Sequence, residues 1–193
     1  MILFLFILAI VVVYLVTTYN KFQTLRTRIS ASIQEIGNQL KRQMELIPNL
    51  AESAKGYLKH EKGIFAKITE ARKAVSEAVE SGKTEKMLSA QDSIQKVLGS
   101  LKVVVESTPE IKGAEVVNRL MEELRDTADK VMYARRTLID LTADFNRMVV
   151  TVPSNLVAML FKFKAEEGLK TATSGAHLEV SSEEGKAPKI DLG

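Results

Sequence analysis

The chain has 193 residues, a formal charge of +3 and no cysteine. Without cysteine it can form no disulfide, thiolate metal site or cysteine nucleophile, and so small a charge does not indicate a nucleic-acid-binding protein. The roughly 170 residues that follow an apolar N-terminal segment suffice for one domain with a core of its own.

The first sixteen residues, from Met1 to Val16, contain no charged side chain. A helix over residues 1–18 would be about 27 Å long, close to the ~30 Å of a bilayer's hydrocarbon core. A cleaved signal peptide would need a basic residue before the apolar run and a small-residue cleavage site after it. Both are missing around this run, and a core helix is not expected at a terminus. We therefore predict a transmembrane anchor over residues 1–18.

Basic residues follow the anchor, which predicts its orientation. Lys21, Arg26 and Arg28 come directly after the apolar run, and the first acidic residue is Glu35. Positive flanks stay in the cytoplasm. We expect a single-pass protein of the cell membrane, with its N-terminus outside, its helical domain in the cytoplasm and lipid as its first partner.

The remainder is rich in strong helix formers and shows no alternating strand pattern. The predicted fold is all-α. The N-terminal transmembrane helix continues into an elongated antiparallel bundle of long, coiled-coil-like helices. The predicted boundaries are a helical domain over residues 19–165 and a flexible C-terminal tail over residues 166–193.

Helix one is predicted to run from the anchor to residue 80, because apolar positions recur every three or four residues. From residue 19 it would be roughly 90 Å long. Pro48 either kinks it or begins a new helix. The kink is favoured because the apolar pattern keeps its phase. A glycine at position 82, just past the helix end, is the expected C-terminal cap.

The part of helix one nearest the membrane carries an apolar stripe. Its members are spaced at helical intervals: Leu25, Ile29, Ile33, Ile36 and Leu40. If the later helices pack side by side away from the membrane, this stripe would be exposed at a cost. Neighbouring copies would then cover it, which predicts a homo-oligomer. The alternative is that helices three and four of the same chain cover it.

Three further helices are predicted along the chain. Helix two covers residues 84–106, and helix three begins between residues 111 and 115 and ends at residue 152, where Pro153 closes it. A fourth helix is expected from Ser154 to Lys164, with Ser154 or Thr151 as its cap.

Asn49, directly after the proline of helix one, and Asn146, on the apolar face of helix three, are candidate structural residues. Buried asparagines fix helix register and partner choice, so both could form a polar lock between helices or between copies. Local capping of backbone groups is an equally acceptable interpretation.

The last residues have a composition typical of disorder, rich in Thr, Ser, Gly and Glu. Pro188 and Ile190 lie in a final segment, residues 187–192, that resembles a short docking motif for a protein partner. A solvated tail without a partner is the alternative.

The search for catalytic residues finds only the pair His60-Glu61. A helical zinc site would need a second histidine at position 64, which is isoleucine. No phosphate-binding glycine loop or nucleophile elbow occurs. We predict that the protein is not an enzyme and needs no metal or other cofactor.

Several short blocks, in this order and spacing, resemble the LemA family. They are Tyr19-Asn20, Gln39-Leu40-Lys41-Arg42, Leu46-Ile47-Pro48-Asn49-Leu50, Lys55-Gly56-Tyr57, Asn146 after Phe145, Val152-Pro153, and the ending Ala187-Pro188-Lys189-Ile190-Asp191-Leu192. The chain departs from the family at Val152, where phenylalanine is usual, and at Lys162, where glycine is common. The resemblance implies a single-pass prokaryotic membrane protein with an elongated antiparallel helical domain. It implies no reaction.

Two functions fit these observations. One is a membrane-anchored structural or interaction protein, a helical scaffold that self-associates. The other is an accessory or sensor subunit that regulates another membrane protein through its helical domain and tail.

Overall fold

The computed structural model describes residues 1–53, 63–109 and 114–168. Within these ranges the chain forms five helices and no strand, which confirms the all-α class. The helices are α1 (Ile2–Ser53), α2 (Ile64–Ser81), α3 (Thr84–Ser107), α4 (Glu115–Val150) and α5 (Ser154–Leu160).

The first helix, α1, is the central element and contacts each of the other four. It passes through Pro48 without ending, so the interpretation in which this proline begins a new helix is wrong. Proline removes one backbone donor from the helix, yet Ile47 and Leu50 on either side are completely buried. Side-chain packing therefore holds the helix together across the proline.

The prediction that helix one continues to residue 80 is wrong, because α2 folds back beside α1. A Cβ atom built on Gly37 of α1 would lie 3.5 Å from Cγ2 of Val79 and 3.2 Å from Cε of Met87. The end of α2 and the start of α3 therefore lie against the middle of α1. This reversal buries the apolar face of α2, which a straight helix would leave in water.

A tight turn joins α2 to α3. Gly82 has the left-handed φ of 60° that glycine adopts without strain, and its N–H donates to the carbonyls of Ala78 and Val79. The predicted glycine cap is thus confirmed. The Nζ of Lys67 donates to Oγ of Ser100 across 3.2 Å, as expected for two antiparallel helices.

The long helix α4 runs antiparallel to α1 on another side. Near one end the rings of Phe22 and Phe145 lie 5.4 Å apart, and farther along Arg42 lies 3.9 Å from Glu123. With 36 residues, α4 is about 54 Å long, enough to cover α1 from Phe22 to beyond Gln43.

The predicted apolar stripe is covered from within the chain. Leu25, Ile29, Ile36 and Leu40 are all buried in the core of a single copy. The alternative of cover by the same chain is the correct one. The expectation that neighbouring copies must cover the stripe is wrong. Helix α4 of the same chain lies along this part of α1, and the α2–α3 hairpin contacts α1 without taking the place of α4.

The fourth predicted helix is shorter than expected. After Pro153, α5 ends at Leu160 rather than at Lys164, and Lys162 adopts a left-handed φ of 58°. Neither predicted cap forms. The Ser154 hydroxyl instead donates to the carbonyls of Met148 and Thr151. The chain then continues, without helical structure, beside α1 and α4.

Candidate functional site

An aromatic cluster joins α1, α4 and the segment after α5 at the end of the bundle nearest the apolar N-terminal residues. The ring of Phe163 stacks on Phe22, with centroids 4.6 Å apart, and meets Phe145 edge-on at 6.3 Å. Tyr19 lies 4.8 Å from Phe161. Such pairs add roughly 0.5–1.5 kcal/mol beyond their buried area. Sequence reasoning missed this cluster because it assigned residues 161 and 163 to a helix.

Asn146 clamps the backbone of the segment that follows α5. Its Nδ2 donates to the carbonyl of Glu166 at 3.0 Å, and the N–H of Glu166 donates to its Oδ1 at 2.8 Å. The Glu166 carboxylate also lies 3.5 Å from Nε of Arg26. Asn146 therefore joins α4 neither to another helix nor to a backbone group nearby in sequence, the two predicted roles, but to the non-helical backbone of Glu166, twenty residues later, whose N–H and C=O groups have no helical partner.

Replacing Asn146 by Ala should release this segment. Both backbone groups of Glu166 lose their partner, so amide exchange at residues 163–168 should accelerate, while global stability falls by only about 1 kcal/mol because half-buried groups regain water. Hydrogen–deuterium exchange of the full chain measures this. Asn146→Asp keeps the acceptor and should show a smaller change. Equal protection in the wild type and Asn146→Ala would contradict the clamp.

The other predicted site residues are placed as follows. Asn49 lies on the solvent-exposed side of α1. Its side chain therefore forms no buried polar lock. Pro153 separates α4 from α5. Pro188 and Ile190 lie outside the described residues, as does the pair His60-Glu61.

A groove runs between α3 and α4, which approach each other less closely than either approaches α1. Two cavities of about 650 and 470 Å³ form it, and they share Gln95 and Ala128. Apolar side chains line much of it: Leu98, Met121, Leu124, Met132 and Ile139. Nη1 of Arg135 donates to Oε1 of Gln91 across the second cavity at 3.0 Å.

Gly99 lines this groove. It lies inside α3, where glycine costs about 1 kcal/mol relative to alanine, and lines the larger cavity. A Cβ atom built on it would have no neighbour within 4 Å among the described atoms. The glycine is therefore not required by packing within the chain.

Side chains that could together hold a metal ion would define one kind of functional site. Within residues 1–53, 63–109 and 114–168, no group of three or more His, Asp or Glu side chains could hold a metal ion. That the protein is not an enzyme stays a prediction.

One described helix is long and apolar enough, by length and composition, to cross a membrane, and it is α1. Only 6% of its most apolar window is buried, whereas its later residues fill the core. A helix of this kind joined to a self-contained bundle fits a membrane-associated helical protein.

The chain belongs to the LemA family, whose family model matches residues 32–182. The match covers α2, α3, α4 and α5 and the part of α1 from Ser32 onward. No curated protein matches the chain.

Proposed function

We propose that the protein is a membrane-anchored interaction protein that self-associates at the membrane surface. The observation that carries this proposal is the continuity of α1. Its residues 1–13 are exposed and apolar, and the same helix, with no break, supplies Phe22, Leu40 and Ile47 to the bundle core. A cleaved leader peptide is not expected to continue, without a break, into a helix that supplies core residues.

In this proposal the bundle lies in the cytoplasm. Lys21, Arg26 and Arg28 are exposed on α1 just beyond the apolar residues, and basic residues of this kind are retained on the cytoplasmic side. Anchors that all cross the membrane in the same direction hold neighbouring bundles parallel and raise their effective concentration.

The α3–α4 groove supports self-association as the mode of interaction. The core of one copy is complete, so copies would meet as folded bundles through an exposed surface. The groove offers apolar walls of the kind that receive a partner helix, with two methionines that adapt to a facing surface. We propose that the partner is a second copy, because anchors with the same orientation place the grooves of neighbouring copies at the same distance from the membrane.

Cysteines placed in this cysteine-free chain test the proposal. Met132→Cys at the groove should form disulfide dimers in native membranes, whereas Glu70→Cys, exposed on α2, and Ile36→Cys, buried in the core, should not. Gly99→Leu fills the groove and should reduce the Met132→Cys dimer at least severalfold without unfolding the chain. A membrane-impermeant maleimide should label Glu70→Cys, which keeps a free thiol, in lysed but not in intact cells.

Three results would count against this proposal. A monomer in mild detergent together with no disulfide at position 132 would contradict self-association. A chain that copurifies at fixed stoichiometry with one other membrane protein would favour the accessory-subunit function instead. Labelling of Glu70→Cys in intact cells would reverse the orientation.

A further inference from the structure

The corner between α4 and α5 exposes a concentrated apolar surface. Six of its side chains, all large and all exposed by about half or more, are Val150, Val152, Leu156, Met159, Leu160 and Phe161. Single exposed apolar residues are ordinary on a protein surface, but a contiguous group marks an interaction site.

The short helix α5 has two different faces. Val157 and Ala158 are buried in the bundle core. Leu156, Met159 and Leu160, spaced by three and four residues, share the opposite face and are exposed. The exposed face therefore has no partner among the described residues, although its composition is that of a buried one.

This corner lies at the level where the apolar segment of α1 ends. Because α4 runs antiparallel to α1, its C-terminal end returns toward the N-terminal part of that helix. Helix α5 contacts α1, and Phe161 lies 4.8 Å from the ring of Tyr19. Tyr14 and Leu15, inside the apolar segment itself, pack against the bundle core. The exposed corner is thus continuous with the surface that would enter the bilayer.

Basic side chains border the corner. Lys162 and Lys164 follow it directly, and Lys21 on α1 is exposed beside Phe22. Arg147, one turn before the end of α4, is paired with Asp144 at 3.2 Å. Cations at the edge of an apolar patch complement the anionic headgroups of a membrane surface.

We propose that residues 150–161 form a second membrane contact, in which α5 lies in the membrane interface beside the anchor. The occupant of the exposed face is lipid, with acyl chains against Leu156, Met159 and Leu160 and headgroup phosphates near Lys162 and Lys164. This inference rests on the proposed anchoring of α1 and adds to it a fixed orientation of the bundle on the membrane.

Single tryptophans in this tryptophan-free chain test the proposal. The full-length variants Leu160→Trp, Phe6→Trp and Tyr133→Trp are reconstituted in vesicles of phosphatidylcholine and phosphatidylglycerol that contain lipids brominated at known depths. Emission of Leu160→Trp should shift to shorter wavelength and be quenched most by bromines near the headgroup. Phe6→Trp should be quenched most by deeper bromines. Tyr133→Trp, exposed on α4, should stay unquenched.

The three variants separate the possible failures. Quenching of Phe6→Trp without quenching of Leu160→Trp would overturn this inference and leave the anchor intact. Protection of Leu160→Trp from aqueous iodide without quenching by brominated lipid would mean that a second copy or another protein covers the corner, and would also overturn it. An unquenched Phe6→Trp would remove the anchor and this inference with it.

Discussion

Replacing Phe22 by Ala should destabilise the bundle more than any other single change described here. Phe22 is completely buried, stacks on Phe163 and meets Phe145 edge-on. Truncation of a buried phenylalanine costs about 3–5 kcal/mol, a large part of the 5–15 kcal/mol or so that keeps a typical domain folded. Urea unfolding of the full chain in mild detergent, followed by circular dichroism, would show a large drop in midpoint.

A matched control is Phe65→Ala on α2, since this ring is 46% exposed. It removes the same atoms from a surface position and should change stability by under about 1 kcal/mol. The aromatic cluster would be disproved as a stabilising element by equal midpoints for the two variants.

Replacing Gln43 by Leu should stabilise the protein. Gln43 is 1% exposed in the core, and its Oε1 has no hydrogen-bond partner among the described residues. An unsatisfied buried polar group costs about 1–3 kcal/mol, and leucine has a similar volume without this cost. The free energy of unfolding, measured in the same detergent, should rise by that amount.

Two companion variants isolate the cause. Gln34→Leu, at an exposed position of the same helix, should change stability by under about 0.5 kcal/mol. Gln43→Ala removes the amide but leaves a cavity, so it should gain less than Gln43→Leu. If Gln43→Leu instead lowers stability, the amide oxygen is hydrogen-bonded in the folded protein and our interpretation is wrong.

The apolar periodicity of the sequence located α3 to within one residue and α4 to within about four residues, because each is long and flanked by Gly, Pro or Ser. The same periodicity could not reveal the reversal before Ile64. A helical seam shows which face of a segment is buried, but two segments with matching phase can be collinear or folded back on each other. In the structure, Val79 and Met87 pack against Gly37, which has no side chain. This contact distinguishes the folded-back arrangement from the collinear one.

The features of the candidate site were harder to predict from sequence. Phe161 and Phe163 fitted a helix by composition, whereas the left-handed Lys162 breaks it, and lysine gives no signal for that conformation. The partner of Asn146 is a backbone group twenty residues away, which no local pattern encodes. The burial of Leu25 and Leu40 was predicted, but sequence alone left open whether the same chain or another copy covers them.

Because α1 is continuous, the proposed anchor and the bundle would tilt together as one rigid unit. From Thr18 to Ser53 the helix is about 52 Å long at 1.5 Å per residue. A change of about 10° in the tilt of the apolar segment, well within the range that membrane helices adopt, would sweep the far end sideways by about 9 Å. With the proposed anchor in place, a bilayer that thins or thickens would therefore move the far end of α1, near Ser53, as well as the apolar segment.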